Sequence, residues 1–378
     1  MLKQGIVSVG SKFHATFTAE SLAKSGMLKK FYTGKRVNSN AIAKDHMRRI
    51  ALPLMMGYVL RKIPKVGHYI PYNLLSDILF DFMVSMSMGK ADFMIGFNNY
   101  TLIQMSKLKK KNAVLFLEQR IAHVMTEIEI YKKEFGKVPA NLHSLMVKRK
   151  LKEYEIADYI LVPSEFVYAS MVDHGIPQHK LLMVPYGYDS TLFKRDTKWA
   201  KPTDRLRLLF VGQIGYRKGL KYLLEAVKNI NLKHPEAVIE LILVGGIDKD
   251  FAVCLNQYSN VYKHIDFIPQ EKLLELYNTS HLFVFPSLCE GSAVVTYEAM
   301  GCGLPQIVTR NAGSVVTDQE EGLIVSAGDT AALEQAILYF VNHPGEIQRM
   351  EQNALKKAND YTWEKYGEKL ISVLSQKI

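Results

Sequence analysis

Two carboxylates, Glu290 and Glu298, stand eight positions apart in F-P-S-L-C-E-G-S-A-V-V-T-Y-E-A-M-G-C-G-L-P, residues 285–305. An apolar strand over 281–285 leads into this stretch. Ser292 to Thr296 read as the early part of a helix that Gly301 and Gly303 end ahead of Leu304 and Pro305. The first N–H groups of a helix have no internal partners and sit at the positive end of its dipole, which suits a diphosphate. At about 1.5 Å per helical residue the two glutamates lie roughly 10 Å apart, about the length of a diphosphate with a sugar at each end. One carboxylate is then available to a hydroxyl of each sugar. Taken alone, the pair also fits a solvated helix start with two unrelated glutamates.

Further candidates lie at two strand-to-helix turns. An apolar strand over 206–212 runs into Q-I-G-Y-R-K-G-L, where Gly212, Gly215 and Gly219 let the backbone approach a ligand and Arg217 and Lys218 add positive charge. The helix beyond carries Leu220, Leu223, Leu224, Val227 and Ile230 on one face, a 3.6-residue period that marks core contact. At the amino terminus a strand over 5–9 meets Gly10 and the turn S-K-F-H-A-T-F before a helix over 16–24, the first half of a βαβ unit with its turn at the sheet's ligand-binding edge. G-x-G-x-x-G is absent there, which disfavours a dinucleotide site. His123 follows a strand end and His14 lies in the first turn; each reads either as a local backbone partner or as a functional group. Asp248 and Asp250 spell D-x-D, which elsewhere holds a metal on a diphosphate and here reads as a solvated loop.

In this order the segments resemble the retaining glycosyltransferases of family 4, also called glycosyl transferases group 1. The resemblance implies an α/β protein of GT-B fold, two Rossmann-like parallel-sheet domains facing a cleft. Residues 1–190 would bind the acceptor, 191–360 the nucleotide-sugar, and a helix over 361–378 would cross back to the first domain with Trp363 as its packing anchor. By the family's E-x7-E motif, Glu298 binds the ribose, Glu290 contacts the transferred sugar, and the amides of Gly291, Ser292, Ala293, Val294, Val295 and Thr296 meet the diphosphate. Lys218 matches the basic residue of the K-G turn, whereas Gln213, after Gly212, replaces the usual arginine; Arg217 either compensates or points to solvent. Glu118 and His123 match an E-x-x-x-x-H stretch whose histidine lies near the sugar's reacting carbon or its C6 hydroxyl. P-Y-G-x-D-x-x-x-F, residues 185–193, closes the first domain, and the loop over 267–270 would cradle the base.

The activity so implied is sugar transfer from a UDP- or GDP-sugar to an acceptor hydroxyl with retention. Glu290, Lys218 and His123 would be catalytic, with no cofactor and no metal. The acceptor would be a lipid-linked or cell-surface saccharide, as in polysaccharide biosynthesis. The rivals are a nucleotide-sugar epimerase of the same fold and a non-catalytic saccharide-binding module.

Composition sets the bounds. At 378 residues the chain exceeds what one core usually supports. Three cysteines, Cys254, Cys289 and Cys302, lack metal-ligand spacing and are too few for a disulfide framework, which points to a reducing cytosol. No signal peptide and no membrane span are expected. Residues 1–200 hold 30 Lys/Arg against 16 Asp/Glu, and the remainder 18 against 21, so basicity belongs to the first half. Without a nucleic-acid motif, this favours a lipid surface or plain solubility. The apolar run 50–60 is bracketed by Arg48, Arg49, Arg61, Lys62 and Lys65, and a second run covers 74–88, with Asp77 and Asp81 on one helical face. These runs read either as buried helices or as a face resting in the headgroups of an anionic membrane. The expected location is cytoplasmic, with a peripheral seat on the inner face of the membrane.

Overall fold

The computed structural model describes residues 2–11, 14–62, 72–139 and 142–378, without the side chains of residues 61, 62 and 72. Lys12 and Phe13 of the first turn, and Lys65, lie outside the described residues.

The first sheet has seven strands: β1 (Gly5–Val9), β2 (Leu28–Thr33), β3 (Met47–Arg49), β4 (Phe93–Phe97), β5 (Val114–Glu118), β6 (Tyr159–Val162) and β7 (Leu181–Met183). All pair in parallel, in the order β3-β2-β1-β4-β5-β6-β7. β1 and β4 are buried along their whole length, as the continuous small and apolar runs G-I-V-S-V and F-M-I-G-F require of strands covered on both faces. Val7 lies between Phe31 and Ile95 in register, so the centre of the sheet is also the centre of its core.

The second sheet has six strands: β8 (Leu206–Val211), β9 (Ile239–Val244), β10 (Tyr262–Ile265), β11 (Leu282–Phe285), β12 (Gln306–Thr309) and β13 (Gly322–Val325). They too are parallel, in the order β10-β9-β8-β11-β12-β13. The Phe210 and Phe285 rings stack at 5.4 Å where β8 and β11 adjoin. On the helix Leu220–Lys233 the five residues named from sequence are all buried.

The chain divides into two compact units, Met1–Val184 with Glu364–Ile378, and Pro185–Trp363. The division expected after residue 190 therefore falls at 184. Its cause is local: Gly187 packs on the Thr362 backbone, and Tyr188 N donates to Tyr361 O at 3.1 Å. The terminal helix Trp363–Ser375 crosses back, but its anchors differ from expectation. Trp363 is half-buried, whereas Tyr366, Leu370 and Leu374 fill the first unit's core. Among the described residues no helix is long and apolar enough to cross a membrane.

Candidate active site

Each sheet has one place where neighbouring strands send their connections to opposite sides, β1/β4 in the first and β8/β11 in the second. At the carboxyl ends of such a pair the chain leaves a crevice that ligands use.

At the β8/β11 switch, β8 runs through Gly212 into a short 3-10 turn, Tyr216–Lys218, and then Gly219. Gly219 has φ +72°, and a Cβ there would stand 2.0 Å from Pro286 O, so only glycine lets this turn press against the chain leaving β11. The contact is sealed by Leu288 N donating to Arg217 O at 2.9 Å and by Ser287 Oγ donating to the same carbonyl at 3.2 Å. Arg217 and Lys218 are thereby brought to Glu290, whose Oε1 accepts from both. Arg217 also donates to Cys289 O at 2.8 Å, so it is tied into the site rather than pointing to solvent. The Lys218 ammonium lies 4.8 Å from the centre of the Phe285 ring. Burial holds its pKa below the ordinary lysine range, while Glu290 pulls the other way.

The helix Val294–Gly301 begins beside this cluster, two residues later than the sequence suggests. The reason is Ser292: its hydroxyl is buried, 2.7 Å from Tyr297 Oη, and donates to Gly313 O at 2.9 Å, which fixes the approach to the helix. Ala293 N donates to Ala312 O at 3.2 Å, and Thr296 N to Ala293 O at 2.9 Å. Of the six amides expected to meet a diphosphate, these two are thus used within the fold. Val294 and Val295 open the helix, where backbone N–H groups have no partner within it. Glu298 lies in the same helix and accepts from Tyr277 Oη at 2.9 Å. Burial, aided by the negative charge of Asp189, raises its carboxyl pKa to about 7.

Gln213 lies against Gly246, its side-chain amide 3.7 Å from where a Cβ would stand. Asp248 of the D-x-D packs onto Gly215, and its backbone N–H donates to Ile214 O at 2.8 Å, binding the two loops together. Among the described residues no three His, Cys, Asp or Glu side chains cluster as metal ligands would.

In the first unit, Gly10 lies at the β1/β4 switch under the ring of Tyr100, where a Cβ would overlap the ring. Glu118, at the end of β5, is buried and lies 3.0 Å from His14 Nε2. The His14 ring is flanked by Phe97 at 5.1 Å and Tyr366 at 6.0 Å. This pairing spans 104 positions, and no local spacing announces it.

His123, the histidine of the E-x-x-x-x-H stretch, is held by its own backbone surroundings. Its Nδ1 accepts from Met125 N at 3.2 Å, capping the helix Val124–Phe135, and its own N–H donates to Ser170 Oγ at 2.9 Å. The ring stacks on His174 at 4.4 Å and lies 5.0 Å from Tyr154. Burial foremost, then the neighbouring His174, brings its pKa down to about 4. It lines a cavity of about 440 Å³ together with Met125, Tyr154, His174 and Lys180.

Residues 193–357 match the family Glycosyl transferases group 1. Among curated relatives, the D-inositol 3-phosphate glycosyltransferase of Rhodococcus jostii is 27% identical over 174 residues, 43% of this chain and 38% of that one. The corresponding protein of Corynebacterium urealyticum is 24% identical over 249 residues, 60% of this chain and 59% of that one. The chain thus aligns with less than two thirds of the length of these relatives. Among solved structures, sucrose-phosphate synthase from Thermosynechococcus elongatus superposes with a TM-score of 0.71 at 18% identity, covering 99% of each chain. Anabaena HepE in complex with UDP-glucose gives 0.67 at 14% identity, covering 99% of this chain and 100% of that one. Both show the same α/β fold of two Rossmann-like parallel-sheet domains, GT-B.

Proposed function

We propose, for a chain whose residues 193–357 belong to the glycosyl transferases group 1, that it moves a sugar from a nucleotide-sugar to an acceptor hydroxyl and retains the anomeric configuration. The observation that carries this reading is the convergence at the β8/β11 switch of Arg217, Lys218 and Glu290 with the start of a helix that also bears Glu298. Two cations and a helix start preorganised at one crevice stabilise a diphosphate as charge develops on it, which is the largest single source of catalysis in many enzymes. In this reading Glu290 Oε1 lies where an anionic oxygen of the donor would be drawn. Donor binding trades that carboxylate for the diphosphate and frees Glu290 to meet the transferred sugar. Glu298 holds the ribose, and Gln213 leaves one phosphate contact neutral. The departing phosphate takes the acceptor's proton on the same face, so no carboxylate nucleophile is required.

At the carboxyl edge of the first sheet, the buried His14–Glu118 pair faces the acceptor and the Gly10 backbone is available to the nucleotide-sugar. His123 acts one step removed, by fixing the helix that follows Glu118 and Arg120. The relatives are named for D-inositol 3-phosphate, a phosphorylated polyol, and HepE was solved in complex with UDP-glucose. Both support a nucleotide-sugar donor with a saccharide or polyol acceptor, lipid-linked where the product is a cell-surface polysaccharide.

The test is release of nucleoside diphosphate from UDP- and GDP-sugars in the presence of candidate acceptors, with EDTA in a parallel arm. Release that depends on acceptor and survives EDTA is the expected result. Conversion of the donor to an isomer without acceptor would instead show an epimerase. Loss in EDTA restored by manganese would remove the metal-independent part of the reading.

A further inference from the structure

The helices Leu52–Lys62 and Tyr72–Ser87 carry apolar residues on their exposed faces as well as on their buried ones. They pack on each other, with Ser76 Oγ donating to Pro53 O at 2.9 Å. The inner face of the second helix carries Phe80, Val84 and the carboxylate of Asp81, which accepts from Ile103 N at 2.7 Å and Gln104 N at 3.0 Å and pairs with Arg149. Its exposed positions are Asn73, Leu75, Ile78, Phe82 and Met86, four of them apolar at helical spacing. The first helix likewise exposes Leu52, Met55, Tyr58 and Val59. Phe82 is 50% exposed, Met55 63% and Met86 71%. A helix that is apolar all round is ordinarily buried in a core or in lipid, and a contiguous apolar patch on a soluble surface marks a contact site.

The rim of this face is basic. Arg48 and Arg49 are exposed on β3 and reach the first helix through Ile50 and Ala51. Lys35 and Arg36 are exposed just beyond Gly34, and Leu54 of the first helix packs at Gly34. Lys90 is exposed shortly after the second helix ends. The acids on the second helix are withdrawn: Asp81 is fully buried, and Asp77 is half-buried with its pKa raised to about 8 by burial. Asp45 and Asp92 are exposed acids close to this rim, outnumbered by its five cations. An apolar stripe bordered by cations is the chemistry of a helix lying in the headgroup region of an anionic bilayer. A two-fold pairing of the same face would set the basic rim against its own copy, which disfavours a dimer.

We propose that this helix pair, with Arg48, Arg49, Lys35 and Arg36 as its cationic border, docks the protein on an anionic lipid surface. The proposal stands independently of the transfer chemistry, because neither its observations nor its test involve the β8/β11 site.

The full-length protein is floated with vesicles of phosphatidylcholine alone, or of phosphatidylcholine with phosphatidylglycerol, at low and high salt. Recovery with the anionic vesicles should exceed that with neutral ones about tenfold and fall as salt rises. Phe82→Ser with Met86→Ser should abolish recovery. Arg48→Gln with Arg49→Gln should cut it about tenfold and flatten its salt dependence. All four positions are exposed, so the variants should keep the parent's Tm, which is checked in the same preparations. Wild-type protein that stays unbound on anionic vesicles at low salt overturns the proposal, as does recovery that neither folded variant alters. A wild-type dimer that the Phe82/Met86 variant splits into monomers would show that a second copy covers the face, and would equally end it.

Discussion

Glu290 and Glu298 belong to one motif yet occupy opposite electrostatic settings. Glu290 is matched by two cations, whereas Glu298 is buried beside the Tyr277 hydroxyl with its pKa lifted from an ordinary 4.5 to about 7. A carboxyl whose folded pKa is raised contributes stability that is full below its unfolded value and lost as pH climbs through the folded one. Glu298→Gln keeps the neutral form at every pH. Its Tm advantage over the parent should therefore open between about pH 4.5 and about pH 7 and stay level above. A difference independent of pH across that window would show that the carboxyl is not strained by burial. In kinetics, the same variant should chiefly raise the donor KM. Lys218→Ala should lower kcat by about 10², the usual loss when one preorganised charge contact is removed, and a drop under about threefold would take the diphosphate away from this turn. These side chains were legible because short motifs fix their spacing. The Ser292 hydroxyl was not legible in the same way, since it serves packing against Tyr297 and Gly313, a need set by the opposite wall of the site. The His14–Glu118 pair could not be foreseen as a contact, because strand order alone brings positions 104 apart together.

At the scale of elements, the site depends on how closely the turn after β8 approaches the turn after β11. Gly219 is the point of closest approach. Gly219→Ala must both adopt φ +72° with a side chain and push Pro286 O away, at a cost of more than about 1 kcal/mol. Tm and kcat should fall together, because the displaced turn carries Lys218. Gly345→Ala provides the contrast: it lies in the helix Pro344–Ala358 with open space around it and should leave activity alone while raising Tm slightly. If Gly219→Ala behaved like Gly345→Ala, the turn would not be held as the geometry indicates. Strands with continuous apolar runs, such as β1, β8 and β11, were readable from sequence. β2 and β3 were not: L-K-K-F-Y-T carries two lysines, and M-R-R is three residues at the sheet edge, so both become strands through pairing rather than through pattern. The helix Pro344–Ala358 buries only the stripe Met350, Ala354 and Ala358, too narrow to stand out in a polar segment.

For the molecule as a whole, the chain enters the second unit at Pro185 and leaves it after Trp363, so the first unit is completed only by residues that follow the whole of the second. Tyr366 Oη lies 2.7 Å from Thr18 Oγ1, Gly367 packs on Ser21, and Lys377 reaches within 5.3 Å of the Tyr159 ring centre. Leu370 and Leu374 are fully buried in the same unit. Leu370→Ala in the full chain should cost about 2–5 kcal/mol, a large share of a domain's usual stability, and the loss falls on the first unit. Lys218, Glu290 and Glu298, the groups assigned to the donor's diphosphate and its two sugars, lie between Pro185 and Trp363, in the other unit. Calorimetry of this variant should therefore show an early transition moved down by several degrees and a later one in place. A nucleotide-sugar should still raise the later transition, since a ligand that binds only folded protein stabilises what it binds. Limited proteolysis should agree, with cuts appearing first within residues 1–184. If donor instead protects the early transition, or if both transitions fall together and donor binding is lost, the donor groups are not self-sufficient in the second unit and the assignment of Lys218, Glu290 and Glu298 fails.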